Sequence, residues 1–410
     1  MQVQRVVITG MGVVSAYGRG LDPFWSGLRQ GKSGIEYSPE LKDVPGLGSC
    51  ISGRVPELPE KEIPRRYRRS MSGMSLFAAF AALEAVRMAG LEEEYLAGGR
   101  VGVSMSSTVN SPYVLEDVFR KYLVHGTGVE QIRSTNFFKI MNHSCAANVA
   151  QYLGISGRVI SPGAACATGG QAIALGAEAI AAGKQDVMLC GGADEVHPLT
   201  VGTFDMMDAA SVRNWDDPGR ASRPFDSDRD GVVCSEGGGV LLLESLPSAL
   251  KRGVPILGEI AGWSMNCAKD LVSPDPRTMR ECILSALQSA GATPGDVDYI
   301  NAHATSTIQG DADEAAVLAR IFENRVPVSS LKGHLGHTMA ASGALETAAV
   351  VKMMSDGVLV GTRNLENIDP DCAGINLIQE DCTKDVHAVL KNNFAFGGIN
   401  TALFIRRFTA

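Results

Sequence analysis

An α/β fold with covered sheets and two similar halves is what this sequence predicts, on three observations. Short β-branched runs alternate with longer alanine-rich stretches of helical pattern along the chain. The 410 residues, 45% of them hydrophobic, suffice for one large two-lobed unit with a sizeable core. A weak internal repeat twice sets a reactive side chain just ahead of a small-residue helix.

In chain order, Val6-Val7-Ile8, Val101-Gly102-Val103, Val187-Met188-Leu189, Val240 to Leu243 and Ala402 to Ile405 read as buried strands. Leu76 to Ala89, Gly169 to Ala182, Thr278 to Ala290, Asp311 to Phe322 and Gly343 to Ser355 read as helices. Residues 205–235 are rich in Asp and Arg without periodicity, the pattern of a long ordered loop. The repeat matches Val159-Ile160 leading into Ala164 to Gly170 with Val326-Pro327-Val328 leading into His337 to Gly343. Glycine and alanine let both following helices pack centrally, and the two halves join near residue 250.

Bulk properties exclude several classes. The net charge of −8 argues against a general nucleic-acid surface, although a local basic patch stays open. Nine cysteines, an odd number without a C-x-x-C pair, point to neither a disulfide framework nor a zinc site. Buried thiols in a reducing compartment follow, hence a cytoplasmic protein. The start lacks a signal-peptide layout, and no run of about 18 apolar residues exists to span a membrane. Gly10-Met11-Gly12 after a strand imitates a dinucleotide fingerprint, but Ser15 stands where the third glycine belongs.

The chemistry-bearing residues come next. Cys166 follows a strand and opens a helix, where backbone N–H groups and the helix dipole favour a thiolate and a lowered pKa. The same N–H groups suit an oxyanion. A cysteine among alanines is, taken alone, an ordinary core residue, so its partners decide. His303, in Asn301 to Thr307, sits at a strand end followed by hydroxyl residues, fit for a hydrogen-bond donor at a site mouth. Lys332 and His337 share a glycine-broken loop and can face one cavity. Glu346, in the following helix, is the acidic partner that a buried Lys332 needs. His334 and His337 lack a third nearby ligand for zinc. Asn393 to Asn400, with Phe394, Phe396 and Gly397, forms a glycine-hinged aromatic loop.

Taken together, Ala-Cys-Ala-Thr-Gly, Ala-His-x-Thr-Ser-Thr, Lys-x4-His and Phe-x-Phe-Gly-Gly-x-Asn resemble the β-ketoacyl-acyl-carrier-protein synthases of the thiolase-like superfamily over nearly the whole chain. Tyr37 to Asp43 and Ala221 to Asp226 look more like the elongation synthase I branch than the II branch. The resemblance implies a thiolase-like five-layer αβαβα fold of two pseudo-equivalent halves, 1–250 with the nucleophile and 251–410 with the histidines, lysine and gating loop. It implies a homodimer, no cofactor, and decarboxylative condensation of a malonyl thioester with an acyl chain on Cys166. His303 and His337 would stabilise the enolate, and Lys332 with Glu346 would fix the electrostatics. The N–H groups of Cys166 and Phe396 would form the oxyanion hole, and Phe396 would gate the cysteine. Thr305 and Thr307 would hold the phosphopantetheine arm; Phe204, Phe394 and Gly397 would also meet substrate. Arg65, Arg66, Arg68 and Arg69, with Arg120 and Lys121 as lesser additions, would dock an acidic acyl carrier protein. A monovalent cation near Asn301, Glu346 and Asn392 is part of the same expectation.

The sequence departs from the family at Ala304 and Ala395, each in place of a glycine, and at Ile399, Cys267, Val272 and the Ser104 to Ser111 segment. These positions bear on substrate identity and leave open a specialised polyketide or aryl-polyene synthase. Two other readings are a thiolase-type enzyme, with Cys372 or Cys382 as second cysteine, and a non-catalytic chain-length-factor-like partner, which would lack the nucleophile.

Overall fold

The computed structural model describes residues 4–124, 129–213, 216–269 and 275–409; Val272 lies outside them. Its N-terminal half holds strands β1 (Val6–Ser15), β2 (Val101–Ser106), β3 (Val159–Ile160), β4 (Val187–Asp194) and β5 (Gly237–Ser245). The second half holds β6 (Gly258–Cys267), β7 (Tyr299–Asn301), β8 (Pro327–Ser329), β9 (Ala388–Phe394) and β10 (Ile399–Arg406). From the middle outward the first half runs β1-β5-β4-β2-β3 and the second β6-β10-β9-β7-β8, with Asn376–Leu377 added at the far edge. Pairing directions match as well. The two inner pairs of each half are antiparallel and the two outer pairs parallel. The halves join where Val6, Val7 and Ile8 pair antiparallel with Ile260, Glu259 and Gly258.

Six helices complete the layers: α1 (Gly73–Met88), α2 (Ser144–Leu153), α3 (Thr168–Ala181), α4 (Pro276–Ser289), α5 (Ile308–Phe322) and α6 (Ser342–Asp356). Each helix expected from the sequence is present within about three residues of its anticipated ends. Among the described residues, the three largest apolar cores lie between the five layers. One lies between α1–α2 and the first sheet half. A second surrounds α3 and α6 between the sheet halves, and the third lies under α4–α5. Among the described residues no helix is long and apolar enough to cross a membrane.

Glycines explain the close packing. A Cβ on Gly10 or Gly12 would lie 2.2 or 1.9 Å from the carbonyl oxygens of Ala85 and Ala81 in α1. These glycines seat a helix on β1, with no phosphate turn between them. At the centre, a Cβ on Gly169 would meet the Ala340 oxygen at 2.5 Å, and one on Gly343 the Gly170 nitrogen at 2.2 Å. The N-termini of α3 and α6 therefore touch backbone to backbone. Each is preceded by a tight 3-10 turn, Ala165–Ala167 and Met339–Ala341. The first residue of each turn is forced to positive φ, 45° at Ala165 and 48° at Met339. The repeat read from the sequence is this paired elbow.

Candidate active site

Cys166 sits in the first elbow, 5% exposed, packed with Val201, Phe204, Val232 and Met339. It opens onto a cavity of about 380 Å³ whose wall includes His303, His337, Thr305, Thr307, Phe204, Phe394 and Phe396. Residues far apart in the chain thus meet at one surface. Gly398 lies on the cavity wall and Gly397 does not, although both shape the turn at positive φ, 70° and 89°. Cys372 and Cys382 do not line the cavity, nor does His334.

The thiol departs from the expectation of a lowered pKa. Burial dominates and pushes it up to about 12, Lys332 pulls down, and Asp194 pushes up again. A helix start favours a thiolate only as far as the surroundings solvate it, and here the surroundings are apolar. Cys166 rests as a thiol, so its proton must leave in the step that acylates it.

Both imidazoles are neutral. Burial holds each well below 6.5, Lys332 adds to this, and for His303 the neighbouring His337 does too. The rings stand edge to face, 5.4 Å between centroids. His337 Nδ1 lies 3.0 Å from Ser342 Oγ and accepts the Met339 N–H at 3.3 Å. An accepting Nδ1 leaves the ring proton on Nε2, which is buried and without a protein partner. The His337 backbone is held from both sides, its N–H on the Val233 carbonyl and its carbonyl on the Ser235 N–H. The polar stretch 205–235 therefore ends as a brace for this loop.

Lys332 donates to Glu346 Oε1 at 2.6 Å, both side chains being buried. Two residues that pattern reading missed complete this region. Glu314 of α5 is buried and accepts the N–H groups of His303 and Ala304 at 3.0 and 2.8 Å, and Asn392 Nδ2 at 3.1 Å. Lys391 of β9 pairs with the other Glu346 oxygen at 2.6 Å. The available signal was charge inside apolar periodicity: an acid on the inner face of α5 and a lysine within a strand of Val, Leu and Phe.

Glu314→Ala would leave three buried donors unpaired, at ~1–3 kcal/mol each. The expected result is a lower urea midpoint at unchanged m-value, with kcat reduced at least ~10-fold by misplacement of His303. Wild-type stability and kcat in that variant would show that the carboxylate does not hold the loop.

The gate is the turn between β9 and β10. Ala395 N–H donates to the Ile399 carbonyl at 2.9 Å, and Phe396 packs on Phe204 at 5.7 Å between ring centroids. Ala395 is absent from the positive-φ residues, so its extra methyl carries no backbone strain; it packs with the cluster around Cys166. Thr305 and Thr307 hydroxyls lie 3.1 Å apart. On the surface, Arg65, Arg66 and Arg69 are exposed, whereas Arg68 is partly buried and caps the Glu60 and Ile63 carbonyls. Arg120 and Lys121 are paired with Glu116 and Asp117 one turn away.

Comparison with known proteins agrees with this geometry. Residues 3–249 match the family "Beta-ketoacyl synthase, N-terminal domain" and residues 257–366 "Beta-ketoacyl synthase, C-terminal domain". The chain is 34% identical over 409 residues to 3-oxoacyl-(acyl-carrier-protein) synthase 1 of Escherichia coli K12, covering 99% of each. A crystal structure of a beta-ketoacyl synthase from Burkholderia phymatum STM815 superimposes with TM-score 0.95 at 37% identity, over 99% of this chain and all of that one. A type II polyketide ketosynthase in complex with its acyl-carrier protein, bound to the hexaketide, gives TM-score 0.90 at 30% identity over 99% of this chain and all of that one. With both halves matched and the identity sustained from end to end, the chain belongs to the beta-ketoacyl synthase family of acyltransferases.

Proposed function

We propose that this chain condenses a malonyl thioester with an acyl chain held on Cys166, taking both substrates from an acyl carrier protein in fatty-acid elongation. The observation that carries the reading is one cavity walled by Cys166 and two neutral imidazoles, one with its Nε2–H unpartnered. Cys166 Sγ attacks the acyl thioester, the C–S bond to the carrier breaks, and the departing thiolate takes up the cysteine's proton. The N–H groups of Cys166 and Phe396 hold the oxyanion, and Phe396 gates access. The malonyl thioester next loses CO₂, and the electron pair moves into an enolate whose oxygen His303 and His337 bind through ring N–H donors. The α-carbon attacks the acyl-cysteine, a C–C bond forms, and the cysteine thiolate leaves and is reprotonated. Thr305 and Thr307 hold the pantetheine arm, while Phe204, Phe394 and the Gly397 turn shape the acyl entrance. The division of labour follows the chain, 1–250 supplying the nucleophile and 251–410 the enolate site.

Arg65, Arg66 and Arg69 support carrier docking, since no carboxylate among the described residues forms an ion pair with them. Arg66→Glu with Arg69→Glu is expected to raise KM for the carrier several-fold with kcat kept, most strongly at low salt. Unchanged KM at every ionic strength would sink the docking assignment. A homodimer is supported by exposed Phe119, Leu123, Val124, Phe137 and Phe138, and by the half-exposed Val159 on edge strand β3. The nine free cysteines support a reducing, cytoplasmic setting.

The test is condensation against a panel of acyl carrier thioesters of different length and unsaturation, read by intact-protein mass. Acylation of Cys166 followed by a β-ketoacyl product on the carrier is expected. Acetyl-CoA condensation without any carrier would favour a thiolase-type reaction, and preference for polyunsaturated or polyketide chains would move the enzyme to a specialised pathway.

A further inference from the structure

Lys391 lies at the middle of β9, paired with Asn301 of β7 on one side and Leu403 of β10 on the other, and is 0% exposed. An ammonium there loses its water, a cost that only good partners offset. Its partners are three oxygens: Glu346 Oε2 at 2.6 Å, the Asn392 carbonyl at 2.5 Å and Asn393 Oδ1 at 3.2 Å. Carboxylate, carbonyl and amide oxygens are the donor set that hard metal cations take.

Each partner leads to a different part of the site. Glu346 holds Lys332 through its other oxygen. Asn392 donates to Glu314, which fixes the His303 loop. Asn393 precedes Phe394 and the gate turn. One charge thus ties the enolate site to the gate.

The residues do not fit a further cation well. Each Glu346 oxygen lies 2.6 Å from an ammonium, Oε1 in a hydrogen bond from Lys332 and Oε2 in an ion pair with Lys391 that lacks hydrogen-bond alignment, and a metal ion sharing that carboxylate would face two positive charges. Asn301 Oδ1 and Asn392 Oδ1 remain buried and unpartnered, too little to offset that repulsion. We propose that Lys391 is a positioning residue whose tethered ammonium takes the place of a bound monovalent cation, so that the condensing site works without one.

The catalytic half of the test rests on the condensing reading; the stability half does not. Wild-type protein is transferred to choline chloride buffer, then given KCl or NaCl at matched ionic strength. Its melting temperature and condensation rate are expected to stay the same. Lys391→Ala is expected to lose ~10²-fold in condensation rate and to regain much of it on adding KCl or methylammonium chloride, as the emptied oxygen cage fills. Its melting temperature should rise with the same salts by ~3 °C or more. Lys391→Met, which fills the space without charge, is expected to stay impaired and unresponsive to methylammonium. Specific K⁺ or Na⁺ dependence of the wild type would overturn the proposal, and that measurement needs no variant to fold. A Met variant with wild-type kcat and KM would overturn it too. Salt-responsive melting of Lys391→Ala in a protein without condensing activity would sink the condensing reading and leave the assignment of Lys391 standing.

Discussion

Cys166→Ala is expected to abolish condensation, by more than ~10⁴-fold, while the folded protein still releases CO₂ from a malonyl carrier thioester. The reason is geometric. The thiol is needed to form the acyl-enzyme, whereas loss of CO₂ needs donors for the enolate oxygen, and those lie on other elements. His303 follows β7 and is anchored by Glu314, and His337 lies in the loop before α6 and is anchored by residues 233–235 and Met339. None of these anchors passes through the Cys166 side chain. Removing one sulfur from a core that already contains Val201, Phe204 and Met339 leaves a small apolar void, so the fold should persist. Intact mass would show no acyl adduct on the variant, and a coupled CO₂ assay would show continued decarboxylation. Loss of both activities in a variant with wild-type melting behaviour would contradict the separation of roles.

The sequence made the architecture legible because two kinds of signal agreed. Apolar runs marked strands buried on both faces, and the paired Gly/Ala helices marked the centre, where only glycine lets Gly169 and Gly343 touch. Cys166, His337 and Lys332 were legible as residue types beside glycines, and His303 as a histidine at a strand end followed by hydroxyl residues. Three things were not. The thiol's raised pKa depends on how completely the cavity wall excludes water, which spacing along the chain does not encode. Glu314 lies one turn beyond Asp311 in a helix whose buried face is set by tertiary packing. Lys391 breaks an apolar strand, and its meaning depends on Glu346, contributed by a helix 45 residues earlier in the chain. Gly397 and Gly398 both take positive φ in the turn, 89° and 70°, and which of two adjacent glycines borders the cavity is set by the turn's three-dimensional path, which the sequence does not encode.

The complementary substitutions should invert the first result. His303→Ala and His337→Ala are each expected to cut malonyl decarboxylation by ~10²–10³-fold, the usual cost of one oxyanion donor. Acylation of Cys166, read by intact mass, should fall far less. The pH dependence follows from the direction of the shifts. Burial and the Lys332 charge hold both imidazoles well below 6.5, so the neutral, donating form is the working form. As pH falls, a depressed pKa delays protonation, and decarboxylation by wild-type enzyme should stay level from about pH 7.5 down to about 6, where an ordinary histidine would already be about three-quarters charged. A falling limb centred near 6.5 would mean that at least one imidazole is not held neutral. His337→Gln adds a finer test. Its amide N–H can occupy the place of the Nε2–H but cannot accept the Met339 N–H at the position of Nδ1. Partial recovery over His337→Ala would assign the loss to the missing donor, whereas two equally inactive variants would assign it to the disrupted Met339 elbow.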